Sequence, residues 1–225
     1  WAPYGHRSLE AVRSRSFVIV HHLLERGVKG VVVACNTASA AALHELRAAF
    51  PTVPFVGMEP AVKPAAERTN RGVVGVLATT ATFQGELYAS VIDRHANGVR
   101  VIERAGSGLV ELIEAGHTQG DLIDAALRTH LAPMAAAGID TLVLGCSHYP
   151  FVRSSIERIL GDAVQVIDPA PAVARQLLRV LDLADASAGR DDGDTLYLTT
   201  GDVAGFAGQV ARLLGLDVAP RLLQL

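Results

Sequence analysis

The chain of 225 residues contains only two cysteines, and both stand in the same kind of place. Cys35 closes the apolar run in "VVVACNTAS"; Cys146, 111 residues later, closes the run in "LVLGCSHYP". Each is followed by a small polar residue and then a second polar group: Asn36 and Thr37 in the first copy, Ser147 and His148 in the second. A lone buried cysteine is ordinarily inert packing. Two thiols at equivalent strand ends, each leading into the N-terminus of a helix, point elsewhere, because the helix dipole favours a thiolate and lowers the thiol pKa. Thiols on opposite sides of a small ligand could invert a stereocentre. One, as thiolate, removes a proton from one face while the other, as thiol, delivers a proton to the opposite face.

Other chemistries fit the residues less well. His148 is the only one of eight histidines close in sequence to a thiol, and neither C-x-x-C nor H-x-x-x-H occurs, so no metal site is expected. A P-loop, a Gly-rich dinucleotide fingerprint and a G-x-S-x-G elbow are missing. A pyridoxal enzyme needs a Schiff-base lysine. Only Lys29 and Lys63 are available, and Lys29 falls at the entry of its strand, so cofactor-independent chemistry is expected. Thr79, Thr80, Thr199 and Thr200 suit helix capping and anion binding equally. Glu59 and Asp168, each beside a proline, suit the first turn of a helix.

Strand-like and helix-like segments alternate along the chain. Ser8 caps an expected helix that ends at Gly27. Strands are expected at 28–34, 55–58, 73–78, 99–103, 141–145, 164–167 and 196–199, with helices at about 38–49 and 82–95 among others. This alternation predicts a parallel α/β architecture. An internal repeat is more informative. "RGVKGVVVACNT" parallels "AGIDTLVLGCSH", "VPFVGMEPAV" parallels "VQVIDPAPAV", and "GVLATTATF" parallels "LYLTTGDVAGF". The expectation is two pseudo-symmetric parallel-sheet domains, 1–62 plus 170–225 and 63–169. Their thiols would face across the cleft, where open parallel sheets build their sites. The segment "DASAGRDDGD" (185–194) reads as a solvated loop without function.

Composition bounds the setting. Half of the chain is apolar and 19% is charged, a globular balance. A formal charge of −3 with no basic stripe argues against nucleic acid. No apolar run is long enough to span a membrane. Two widely separated cysteines point to reduced thiols in a cytoplasm more than to a disulfide framework.

"CNTAS", "GCSHYP", "PYG" (Pro3 to Gly5), "EPA" (Glu59 to Ala61) and "YLTTGD", in this order, resemble bacterial glutamate racemase, within the aspartate/glutamate racemase family. The resemblance implies two similar α/β domains, no cofactor, a catalytic pair Cys35 and Cys146, and a homodimer. It has Cys35 acting on D-glutamate and Cys146 on L-glutamate, with His148 assisting Cys146 and Glu59 in support. Asn36, Thr37, Ser147 and His148 would hold the amino acid, and Tyr4 and Gly5 its side-chain carboxylate. The product, D-glutamate, would serve peptidoglycan and cell shape. Two departures are Ser147, where the family usually has Thr, and "AGSGL" (Ala105 to Leu109) in place of a Cys-Pro loop. Competing readings are a racemase or isomerase of aspartate or another small acid, and a chain that binds without turnover.

The repeat also bears on the start of the chain. Ser107 lies 39 residues before Cys146, and the same offset before Cys35 falls ahead of Trp1. The first half is therefore expected to lack a strand and loop that its partner has, where the family carries an Asp-Ser-Gly segment. On this reading the isolated chain is poorly stable and weakly active.

Overall fold

The computed structural model describes residues 2–184 and 193–225. Most of the expected loop at 185–194 lies outside them. All strand pairs are parallel. β1 (Val31–Val33) pairs with β2 (Phe55–Gly57) in the register Val31 to Phe55. A four-stranded sheet has the order β4 (Arg100–Ala105), β3 (Val73–Ala78), β5 (Thr141–Gly145), β6 (Gln165–Ile167). A short pair joins β7 (Leu198–Thr199) to β8 (Arg221–Leu222).

The central strands read as unbroken apolar runs because both of their faces are covered. In β3, Leu77 packs with Leu109 and Leu142 on one face, whereas Val74 and Val76 meet Val62 and Val91 on the other. β5 divides likewise, with Leu142 and Leu144 on the first face and Val143 on the second. The helices supplying these layers are α3 (Val62–Arg68) and α5 (Glu86–His95) on one side. On the other lie α6 (Leu109–Glu114), α7 (Asp121–Ala136) and α8 (Arg153–Leu160). Edge strand β4 carries exposed Arg100, Glu103 and Arg104, charges that discourage pairing with another chain.

Around β1 and β2, α1 (Leu9–Glu25) packs on α2 (Asn36–Ala49) through Val20, Ala42, Leu43 and Leu46. α9 (Ala170–Leu183) and α10 (Val203–Leu214) complete the helices used below, with α4 (Thr80–Phe83) a single turn. The repeat appears as matched units: β1–Cys35–α2 with β5–Cys146–α8, and β2–Glu59–α3 with β6–Asp168–α9.

Two boundaries differ from expectation for physical reasons. α2 begins at Asn36, since extended Cys35 (φ −136°, ψ 124°) is its N-cap and the Cys35 carbonyl already accepts from the Ser39 N–H at 2.8 Å. The helix expected over 82–95 is two pieces parted at Gly85. A Cβ there would lie 2.5 Å from the Cβ of Ala40, so only glycine lets α2 come this close.

Candidate active site

Because β1 and β5 each end immediately before a helical turn, both thiols are delivered to C-terminal strand ends. Around Cys35, the N–H groups of Ala38 and Thr37 and the Thr37 hydroxyl face the sulfur. Ser39 secures this corner. Its hydroxyl donates to the Val33 carbonyl at 3.0 Å and accepts from the Met58 N–H at 2.9 Å, tying the ends of β1 and β2 to the first turn of α2. Tyr4 packs with Cys35 beside Val12 and Ala38. Burial, and then the charge of Cys35, raises the Tyr4 hydroxyl above its ordinary pKa.

Cys146 precedes a 3-10 turn, Tyr149–Val152, and the N–H groups of His148 and Tyr149 face its sulfur. His148 Nδ1 lies 3.9 Å from the sulfur, and His148 Nε2 lies 3.0 Å from Glu114 Oε1. Glu114, at the end of α6, was not apparent from sequence; it stands 34 residues before His148 with no local motif. The buried Tyr149 hydroxyl reaches the carbonyls of Ala78 and Gly106 at 3.4 Å each, holding the Cys146 turn against the ends of β3 and β4.

Both cysteines are free thiols. Burial pushes Cys35 up although part of its surface stays exposed, and burial pushes Cys146 up to about 12. The N–H groups at both helical turns do lower the thiol pKa, as expected from the sequence, but desolvation outweighs them and reverses the net direction. After burial and the His148 N–H, the charge of Cys35 acts on Cys146, ahead of the Tyr149 N–H, and Glu111 adds a smaller push in the same direction as Cys35. A thiolate at Cys35 therefore disfavours a thiolate at Cys146. The preferred ionised state holds one base and one acid.

A cavity of about 420 Å³ opens between the loop bearing Gly5 and Arg7, the start of α4 with Thr79 and Thr80, and the turn at Gly106 and Ser107. Gly5 abuts Thr79, where a Cβ would meet its methyl carbon at 3.1 Å. The Thr79 hydroxyl caps α4 and lies 2.9 Å from that of Thr37. Asn36 is 3% exposed, yet neither its amide nitrogen nor its amide oxygen has a hydrogen-bond partner. Such an orphaned pair is costly unless a polar ligand supplies the bonds.

Tyr4, Gly5, Thr37, Cys35, Cys146 and His148 are thus linked by contact, hydrogen bond or charge, with buried Asn36 between Cys35 and Thr37 in sequence and half-buried Ser147 between Cys146 and His148. Glu59 is placed apart. It lines another cavity, of about 400 Å³, with Lys63, His95 and Pro169. Asp168 accepts from the Ala170 N–H at 2.8 Å, the helix-start role that its sequence suggested. Thr199 accepts from the Gly201 N–H at 3.1 Å, and Asp202 caps α10. Among the described residues no cluster of three His, Cys, Asp or Glu side chains could hold a metal ion. Among them, too, no helix is long and apolar enough to cross a membrane.

Known proteins share this arrangement's sequence and fold. Glutamate racemase from Ectopseudomonas mendocina is 47% identical over 213 residues, covering 95% of this chain and 81% of that protein. The Roseiflexus enzyme is 48% identical over 213 residues, 94% of this chain and 78% of that protein. The crystal structure of glutamate racemase isoform RacE1 from Bacillus anthracis superposes with a TM-score of 0.89 at 32% identity, over 100% of this chain and 84% of that one. The Escherichia coli glutamate racemase, solved with L-glutamate and the activator UDP-MurNAc-Ala, gives 0.81 at 32% identity, over 96% and 81% of the two chains. The Asp/Glu/Hydantoin racemase family profile matches residues 1–177, a span that includes both cysteines and every residue linked to them above. With paired thiols on matched strand ends and relatives similar along nearly its whole length, this chain belongs to the Asp/Glu/Hydantoin racemase family.

Proposed function

We propose that this chain is a glutamate racemase, interconverting L- and D-glutamate by moving protons at Cα between Cys35 and Cys146 without a cofactor. The observation that carries this reading is the pair of free thiols on matched strand ends, with His148 and Glu114 lined up behind one and a buried amide without a partner next to the other. Similarity to glutamate racemases, one of them solved with L-glutamate, supports the substrate.

In the L-to-D direction the Cys146 thiolate takes the Cα proton, and the electron pair left behind is held by the adjacent carboxylate. The Cys35 thiol then gives its proton to the opposite face. Turnover leaves Cys146 as thiol and Cys35 as thiolate, which is the state required for the reverse reaction. His148, oriented by Glu114, exchanges the Cys146 proton. Asn36, Thr37 and Ser147 hold the polar groups at Cα, and Tyr4 and Gly5 the side-chain carboxylate. Glu59, at the end of β2, acts in support from the neighbouring cavity. Lys29 precedes β1 at the end opposite Cys35, and exposed Lys63 is on α3; these placements favour chemistry without pyridoxal phosphate.

The domains are 1–62 plus 170–225 and 63–169, joined near Glu59 and Asp168. D-glutamate would be supplied for peptidoglycan in the cytoplasm, by a homodimer. The deciding experiment follows the circular dichroism of L-glutamate with purified protein, with L-aspartate in parallel. Loss of the glutamate signal together with deuterium incorporation at Cα in heavy water is expected. A stable glutamate signal, or faster loss with aspartate, rejects the proposal.

A further inference from the structure

Thr82 is 1% exposed and is not among the residues lining the cavity, yet its hydroxyl closes a triangle. It lies 2.9 Å from the Thr79 hydroxyl and 3.4 Å from that of Thr37, and those two are 2.9 Å apart. A threonine hydroxyl has one proton to give and two lone pairs to receive with. One lone pair of Thr79 already accepts the Thr82 backbone N–H at 3.2 Å.

Counting protons then sets the directions. A Cys35 thiolate only accepts, so it draws the proton of Thr37, whose hydroxyl faces the sulfur. Thr37 must then receive from Thr79, and Thr79 fills its last lone pair from the Thr82 hydroxyl. Every proton of the triangle points toward the sulfur. When Cys35 is a thiol, it donates to Thr37 and the chain reverses: Thr37 gives its proton to Thr79, and Thr79, its lone pairs filled, gives its own to the Thr82 hydroxyl. Thr37 follows β1 and Thr79 and Thr82 follow β3, so the chain of hydroxyls spans the two sheets.

We propose that Thr82 is a positioning residue for the racemase reaction: its hydroxyl, given to Thr79, aims the proton of Thr37 at Cys35 and favours the thiolate form of that base. The proposal rests on the reading of Cys35 as acid and base. Other groups that bear on Cys35 are Tyr4, from the loop before α1, and Cys146, after β5; Arg7 and Arg15 act on Tyr4. None is altered by a change at Thr82.

The test is the pH profile of Cys35 alkylation by iodoacetamide, read peptide by peptide by mass spectrometry so that Cys146 is an internal reference. It requires no turnover, so it stands apart from the glutamate assay. Thr82→Val keeps the shape and removes the hydroxyl. It is expected to slow Cys35 alkylation at fixed pH by roughly threefold to tenfold, the scale of one lost hydrogen bond, and to shift the profile to higher pH. The Cys146 profile stays in place, and Thr82→Ser behaves as wild type. Thr82→Ala deletes the same hydroxyl without bulk and gives the same shift where valine is not tolerated. An unmoved Cys35 profile in the folded hydroxyl-less variant overturns the proposal. So does an equal shift in Thr82→Ser, which traces the effect to the methyl group, or an equal shift of Cys35 and Cys146.

Discussion

His148 Nε2 and Glu114 Oε1 stand 3.0 Å apart, joining the turn after Cys146 to the end of α6. The carboxylate sets the direction of the imidazole, whose other nitrogen is 3.9 Å from the Cys146 sulfur. In the proposed mechanism, removing His148 deprives Cys146 of its exchange partner. His148→Ala is therefore expected to lower kcat/KM by roughly 10²-fold or more, and Glu114→Gln by a smaller factor. The two enantiomers are equal in free energy, so kcat/KM must fall alike in both directions. Full activity in both variants would remove the pair from the mechanism.

In the proposed mechanism each thiol serves one face of Cα, so neither substitutes for the other. Cys35→Ala and Cys146→Ala should each abolish interconversion of glutamate enantiomers while leaving the far-ultraviolet circular dichroism intact. Racemisation near the wild-type rate by either variant would eliminate the two-thiol mechanism.

The height of the Cys146 pKa makes a separate prediction. Burial raises this acid to about 12, which lowers its thiolate population at neutral pH. The thiolate is the nucleophile. Alkylation of Cys146 should accordingly be slow near neutrality and rise about tenfold per pH unit between about pH 7 and about pH 10. A rate that levels off near neutral pH would mean that the helical N–H groups, not burial, control this thiol.

The placement of both cysteines at strand ends was legible because each thiol ends an apolar run and the run recurs with its neighbours in order. β3 and β5 were legible for the same reason, their unbroken apolar stretches matching coverage on both faces. Glu114 was not, since its partner His148 is brought to it only by the packing of α6 on the 3-10 turn. Nor was the break at Gly85, which depends on Ala40 of another helix. The thiol pKa direction escaped sequence reading because helix starts are visible in a sequence and burial of their caps is not. Glu59 shows the limit of strand-end position as a guide: it follows β2 as Cys35 follows β1, yet it lines the other cavity.

Asp140 joins α3 to β5 through its carboxylate, which accepts from the Thr69 hydroxyl and from the N–H groups of Asn70 and Arg71 at 2.7 and 2.8 Å. Burial pushes its pKa up, but donors from Thr69, Arg71, Asn70 and Thr141 outweigh burial and hold it below the usual carboxylate value. Asp140→Ala should cost about 1.5–3 kcal/mol of stability at neutral pH. The depressed pKa stabilises above the unfolded carboxylate's pKa and is lost as pH falls through the folded one, so the gap should narrow in acid. Denaturant unfolding at neutral and acidic pH checks this, and a gap independent of pH would assign the loss to packing.

Asn36, as a substrate-binding residue in the proposed function, would set stability against binding. Its amide is buried, and both polar atoms are unpaired, which costs the folded protein about 1–3 kcal/mol for each such group. Leucine has the same branching and number of side-chain heavy atoms as asparagine, so it sets two methyl groups where the buried amide nitrogen and oxygen stand. Asn36→Leu should therefore raise the unfolding free energy of the protein measured without glutamate by about 1 kcal/mol or more. Under the proposed function the same change removes the donor and acceptor offered to the amino acid, so glutamate should no longer raise the melting temperature, and racemisation should be lost. A variant that is both less stable and still protected by glutamate would show that the Asn36 amide is not held in reserve for substrate.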